Sequence, residues 1–91
     1  MKPNVKSHKA YIKLNDIVVP QMFVSKPPGL DKVLKHHECY LNDGCLDPVI
    51  IDANNVIIDG YISYLIHRHY GHKEIMVYRI TILKEKDNAT D

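Results

Sequence analysis

The sequence predicts an α+β domain (α/β-like in its alternation), with a small mixed β-sheet and two main helices. Three observations predict it. Two short runs of β-branched apolar residues, 49–51 and 56–58, flank Asp52-Ala53-Asn54-Asn55. A helical period follows at once, with Ile62, Leu65, Ile66 and His69 at i, i+3, i+4 and i+7. Alternating stretches lie near both ends of the chain, at 9–14 and 75–80. The order of signals is strand, short strand, helix, strand, strand, helix, strand, which is that of a mixed domain.

Taken in order, residues 1–8 are polar and read as a flexible lead-in. Ala10, Ile12 and Leu14 alternate over 9–14 and predict the first strand. Asn15-Asp16 turns the chain into a short extended piece, Ile17-Val18-Val19-Pro20, with Phe23 as a core anchor beside it. Pro27 and Pro28 push the residues before them out of the α region, so the loop 25–29 is expected to be extended and stiff. A helix is expected from about Leu30, with Asp31 favourable in its first turn. Its apolar stripe would be Val33, Leu34, His37, Tyr40 and Leu41, and Gly44 its stop.

The stretch 47–71 then reads as a hairpin feeding a helix. Pro48 opens the first strand, where a missing N–H does least harm. Asn54-Asn55 is the expected apex, since Asn tolerates positive φ. Asp59 is the expected N-cap of the second helix and Gly71 its C′ residue. Ile75 and Val77 alternate with Met76 and Tyr78 in a last strand that could be covered on both faces. Residues 84–91 read as a solvated tail, leaving 9–83 as one domain.

Composition excludes little but sets a frame. The chain has 91 residues, 45% hydrophobic and 25% charged, as ordinary soluble domains have. A net charge of +1 gives no strong field for nucleic acid or an anionic membrane. No apolar run is long enough to span a bilayer, and the N-terminus lacks a signal-peptide apolar region. A cytoplasmic location follows as the expectation, with Cys39 and Cys45 reduced, semi-buried and without a role.

The candidate site is the strand-to-helix turn. Free N–H groups at a helix start favour an anion. Asp59, Gly60, Tyr61 and Tyr64 are therefore candidates for holding a phosphate, with Lys26 reaching in from the proline loop and Ser63 offering a hydroxyl. Lys32, Lys35, Arg68 and Lys73, with Arg79, are candidate nucleic-acid contacts if both helices share a face. Six histidines raise the question of a metal, but His67 and His69 diverge on a helix and His36 and His37 are adjacent. No metal site is assigned, since zinc needs about four converging ligands.

DPVIID, a short turn, VIIDGY, a helix, and Gly71-x-x-Glu74-x-x-Val77 entering a last strand together resemble the ParB N-terminal/sulfiredoxin-like family. The IVVP segment, the proline loop and the preceding helix agree, so the resemblance covers roughly residues 9–82. It implies a nucleotide-holding turn at Asp59-Gly60. Partition proteins of the family carry an arginine-rich segment after that turn, which holds nucleotide phosphates. Here the segment is Gly60-Tyr61-Ile62-Ser63-Tyr64-Leu65, with no arginine before Arg68. Sulfiredoxins carry a nucleophilic Cys after the glycine, where Tyr61 stands here, so sulfinic-acid reduction does not carry over. A third branch of the fold phosphorylates free serine, and no motif here decides for or against it. The helix-turn-helix domain that follows in partition proteins is not expected within this length.

The expected function is thus a small binding module of phage, plasmid or other mobile-element origin. It would bind a nucleotide, a nucleic acid or a protein partner at the turn Asp59-Gly60-Tyr61, with no catalytic residue assigned and no membrane. Two alternatives stand beside it. One is a small nucleotide-dependent phosphotransferase or nucleotidase on the same fold. The other is a non-catalytic protein that associates with itself as a homodimer.

Overall fold

The computed structural model describes residues 4–83. The tail 84–91 and the first three residues of the lead-in lie outside them. Four strands form one mixed sheet in the order β1-β4-β2-β3. β1 (Asn4–Lys13) runs antiparallel to β4 (Glu74–Leu83) along all ten residues of each. β2 (Val49–Ile51) is parallel to β4 and antiparallel to β3 (Ile57–Asp59), with a register shift between Ile50 and Ile51. The mixed sheet with helices is the predicted fold class.

The polar lead-in is corrected from residue 4 onward. β1 begins at Asn4, not at residue 9, because β4 is long enough to offer it a partner at every step from Leu83 back to Glu74. The extended piece around Val18 exists as one parallel bridge to Val56, held by Val18 N–H to Asn55 O at 2.8 Å and Ile57 N–H to Val18 O at 3.0 Å. A short helix that the sequence reading lacked, α1 (Gln21–Ser25), follows Pro20. It carries Phe23 onto the core as expected.

α2 (Leu30–Asp43) begins at Leu30 and ends at Gly44, which adopts φ +68 and donates to Tyr40 O at 2.8 Å. Its stripe is only half used. Val33, His37 and Tyr40 are partly buried, whereas Leu34 and Leu41 are exposed, and no residue of α2 is fully buried. The reason is its position: it leans mainly on α3 (Tyr61–His69) rather than on the sheet. Cys39 and Cys45 are also exposed, which corrects the semi-buried expectation.

The hairpin turn forms as read. Asn55 takes φ +67, and Asp52 Oδ1 accepts from the Asn54 and Val56 amides at 2.8 and 3.0 Å, an Asx-type turn. Arg79 Nη2 closes it from β4 onto Asn55 Oδ1 at 2.6 Å. The core lies on one sheet face, where Val49, Ile51, Ile57, Ile75 and Val77 meet Ile12, Leu14, Ile17 and Tyr64. Each fully buried aliphatic side chain there contributes on the order of 1.5–3 kcal/mol.

Candidate functional site

The site is built where β3 hands over to α3. The chain must reverse against β2, and Gly60 does this with φ +83. A Cβ there would meet Pro48 O at 2.4 Å and Val49 Cα at 2.9 Å, so only glycine fits. Gly60, not Asp59, occupies the N-cap position of α3. Asp59 is the last residue of β3, and its Oδ1 accepts from the Gly60 amide at 2.9 Å. That bond uses the carboxylate before it can reach the first helical turn, and no side chain caps α3. The first intrahelical bond is Tyr64 N–H to Gly60 O at 3.0 Å, so the amides of Tyr61, Ile62 and Ser63 have no partner within the helix.

The three residues that carry those amides line a cleft of about 470 Å³. α3 and β3 supply Asp59, Gly60, Tyr61, Ile62 and Ser63 to its wall. The proline loop supplies Lys26, Pro27 and Pro28, and α2 adds Lys32 and His36. Tyr61 stacks on Phe23, with centroids 5.1 Å apart, which fixes its ring at the rim. Ser63 is 1% exposed, and its Oγ has no hydrogen-bond partner among the described residues. A buried hydroxyl without a partner is costly and calls for one.

Two carboxylates border the cleft, Asp47 and Asp59. Asp59 is engaged by Gly60, as described. Asp47 Oδ2 lies 3.3 Å from His36 Nε2, while His36 Nδ1 lies 2.8 Å from Lys32 O. Their charge is thus partly answered within the wall, leaving Lys26 and Lys32 for an incoming anion.

Of the six residues predicted for this site, five line the cleft and one does not. Tyr64 is 7% exposed and belongs to the core, stacked on Tyr61 with centroids 6.0 Å apart. Of the predicted face, Ile66 is buried and Leu65 packs against the core, whereas Ile62 is only partly buried and His69 is exposed; Ser63 and Tyr64 are buried in their stead. Sequence reasoning missed His36 and Asp47, which are eleven residues apart and carry no shared pattern.

The candidate nucleic-acid contacts do not form one patch. Lys32 lines the cleft and Lys35 is exposed on α2. Arg68 and Lys73 line a different depression with Lys13, at the far end of α3, about 13 Å away by helix length. Arg79 is turned onto the hairpin instead.

That far end is closed by Gly71 at φ +71. Its amide donates to Arg68 O and that of His72 to His67 O, both at 3.1 Å, a Schellman pair around the expected C′ glycine. His67 Nδ1 and His72 Nδ1 lie 2.9 Å apart, so one must donate and the other accept. Burial first, then His72, lowers the His67 pKa below its ordinary 6.5. The unfolded chain therefore binds more protons at this position, and stability rises with pH. The contribution is present above pH 6.5 and is lost as pH falls through the folded value. Urea unfolding at neutral and mildly acidic pH should show that loss, and His67→Gln should reduce it.

No family model matches the chain, and no curated protein matches it. Two solved structures of a pNOB8-like ParB N-domain superpose on it with TM-scores of 0.71 and 0.72. Each is 19% identical, and they cover 85% and 88% of this chain. The chain spans about three-tenths of the length of those proteins, at 31% and 30%. Identity that low speaks to fold alone. The fold of this chain is that of a ParB N-domain, as the resemblance implied.

Proposed function

We propose that the chain is a small ParB-like binding module that holds a phosphate-bearing ligand in the cleft at Asp59-Gly60-Tyr61. The observation that carries this reading is the buried Oγ of Ser63 beside three first-turn amides, all without a partner among the described residues. Together they present donors to an anion, and Lys26 and Lys32 bring the opposing charge. Tyr61 offers a flat face at the rim for a base or sugar. A nucleotide suits all three features. The fold likeness supports partition or another mobile-element process as the setting in which such a module would work.

Amide resonances followed by NMR during titration with inorganic phosphate, then with nucleotides, test it. Shifts are expected at Tyr61, Ile62 and Ser63, and silence there would end the proposal. Thermal shift against a nucleotide panel adds the ligand's identity, since binding to the folded state alone raises stability. Ser63→Ala should weaken the ligand roughly tenfold while leaving stability unchanged or slightly higher, because it removes a buried hydroxyl that has no partner in the free protein.

The phosphotransferase or nucleotidase alternative needs a general base near the same helix start. Asp59, exposed at the cleft wall, is the side chain placed for it. Any turnover that persists in Asp59→Ala excludes that role.

A further inference from the structure

His36, Cys39 and Asp43 stand at i, i+3 and i+7 along the last turns of α2, which places them on one face. After Gly44 the chain doubles back over that face, because Asp47 Oδ2 lies 3.3 Å from His36 Nε2. Cys45 stands on the same return. Its Sγ lies 3.5 Å from Asp43 O, and Cys39 Sγ lies 3.8 Å from Asp43 Oδ2, so both thiols meet one residue. Neither is in a disulfide, and both are exposed.

The His36 ring is held from behind. Lys32 O only accepts, so His36 Nδ1, 2.8 Å away, carries the proton and donates it. In the neutral ring Nε2 is then a lone pair, and it faces a carboxylate oxygen that also only accepts. Two acceptors at that distance need a positive centre between them, either a proton or a metal ion. Their separation suits two ligands of a tetrahedral zinc, whose bonds of about 2.0–2.2 Å set neighbouring donors roughly 3.4 Å apart. A backbone carbonyl on the far ring nitrogen is also how proteins orient a metal-binding imidazole. The thiols decide between proton and metal. A proton needs no further ligand, whereas two thiols beside the pair complete a set of four. The C-terminal end of α2, negative in its dipole, favours a cation at the same place.

We propose that His36, Cys39, Cys45 and Asp47 bind a zinc ion. Two sulfurs, an imidazole nitrogen and a carboxylate oxygen are a donor set that suits Zn²⁺. Among the described residues no three such side chains are placed to hold an ion as they stand, so the exposed thiols turn onto it from Asp43. Each thiol gives its proton to solvent as its bond to zinc forms. His36 and Asp47 also border the Asp59-Gly60 cleft. The metal site uses neither the first-turn amides nor Ser63, and it does not rest on the reading of that cleft.

Titration of the full chain, kept reduced and stripped with a chelator, with Co²⁺ and then Zn²⁺ tests it. One Co²⁺ per chain should give a thiolate-to-cobalt charge-transfer band and the intense visible bands of a tetrahedral ion, and Zn²⁺ should erase both. Cys39→Ser, Cys45→Ser and His36→Gln should each weaken Zn²⁺ by about a hundredfold or more, since losing even a supporting hydrogen bond to a ligand costs roughly tenfold to a hundredfold. All three side chains reach solvent, so circular dichroism should show each variant folded. His67→Gln should leave the affinity unchanged, although His67 and His72 form a second close pair. No charge-transfer band, full affinity in Cys39→Ser, or a loss in His67→Gln alone each overturns the site. So does one ion shared by two chains, seen as a metal-dependent dimer in sedimentation.

Discussion

Gly60→Ala should lower folding stability by about 2–5 kcal/mol, read from urea unfolding. Two costs combine. The backbone holds φ +83, a left-handed conformation that costs an L side chain on the order of 1–2 kcal/mol. The added methyl would stand 2.4 Å from Pro48 O and 2.9 Å from Val49 Cα, both backbone atoms of the adjoining strand. Neither can swing aside as a flexible side chain would, and forced overpacking adds roughly 1–3 kcal/mol. Gly44→Ala and Gly71→Ala are the internal controls. Their φ values are +68 and +71, but a Cβ at either meets nothing within 4 Å. They should lose only the conformational part, roughly 1–2 kcal/mol. Gly60→Ala behaving like these two would mean that the strand-to-helix turn is not seated against Pro48.

The same contrast explains what could be read from the residues alone. Turn chemistry was legible because it is local. Asn55, Gly44 and Gly71 each sit where a short segment demands a positive φ, and the residue type announces it. Asp52 closes the hairpin within its own loop. The buried face of α3 was not legible, because apolar or aromatic residues stand at Tyr61, Ile62, Tyr64, Leu65 and Ile66, almost all round a nine-residue helix. Successive residues differ by about 100° around such a helix. The orientation is therefore set by how Gly60 seats on Pro48 and Val49, a contact between segments. The cleft was half legible for a related reason. Lys26 comes from a loop stiffened by its own prolines, whereas His36 meets Asp47 only because α2 and the approach to β2 are brought together by the fold.

Tyr64→Ala is the substitution that separates the two accounts of α3. A binding role at the rim would let the ring go at little cost to folding. The structure buries it to 7% exposure among Ile12, Val49, Ile51 and their neighbours, stacked on Tyr61. Truncating a buried aromatic to alanine costs about 3–5 kcal/mol, through lost transfer energy and the cavity left behind. For a domain whose whole stability is on the order of 5–15 kcal/mol, that is a large share. Tyr64→Phe should stay within about 1 kcal/mol, since it keeps the packed ring. Tyr61→Ala should cost less than Tyr64→Ala, because Tyr61 is only partly buried, and should act on ligand affinity instead. If denaturant unfolding placed Tyr64→Ala within about 1 kcal/mol of the parent, the ring would not be a core element. α3 would then be rotated toward the Ile62 and His69 face, taking Ser63 out of its buried position at the cleft.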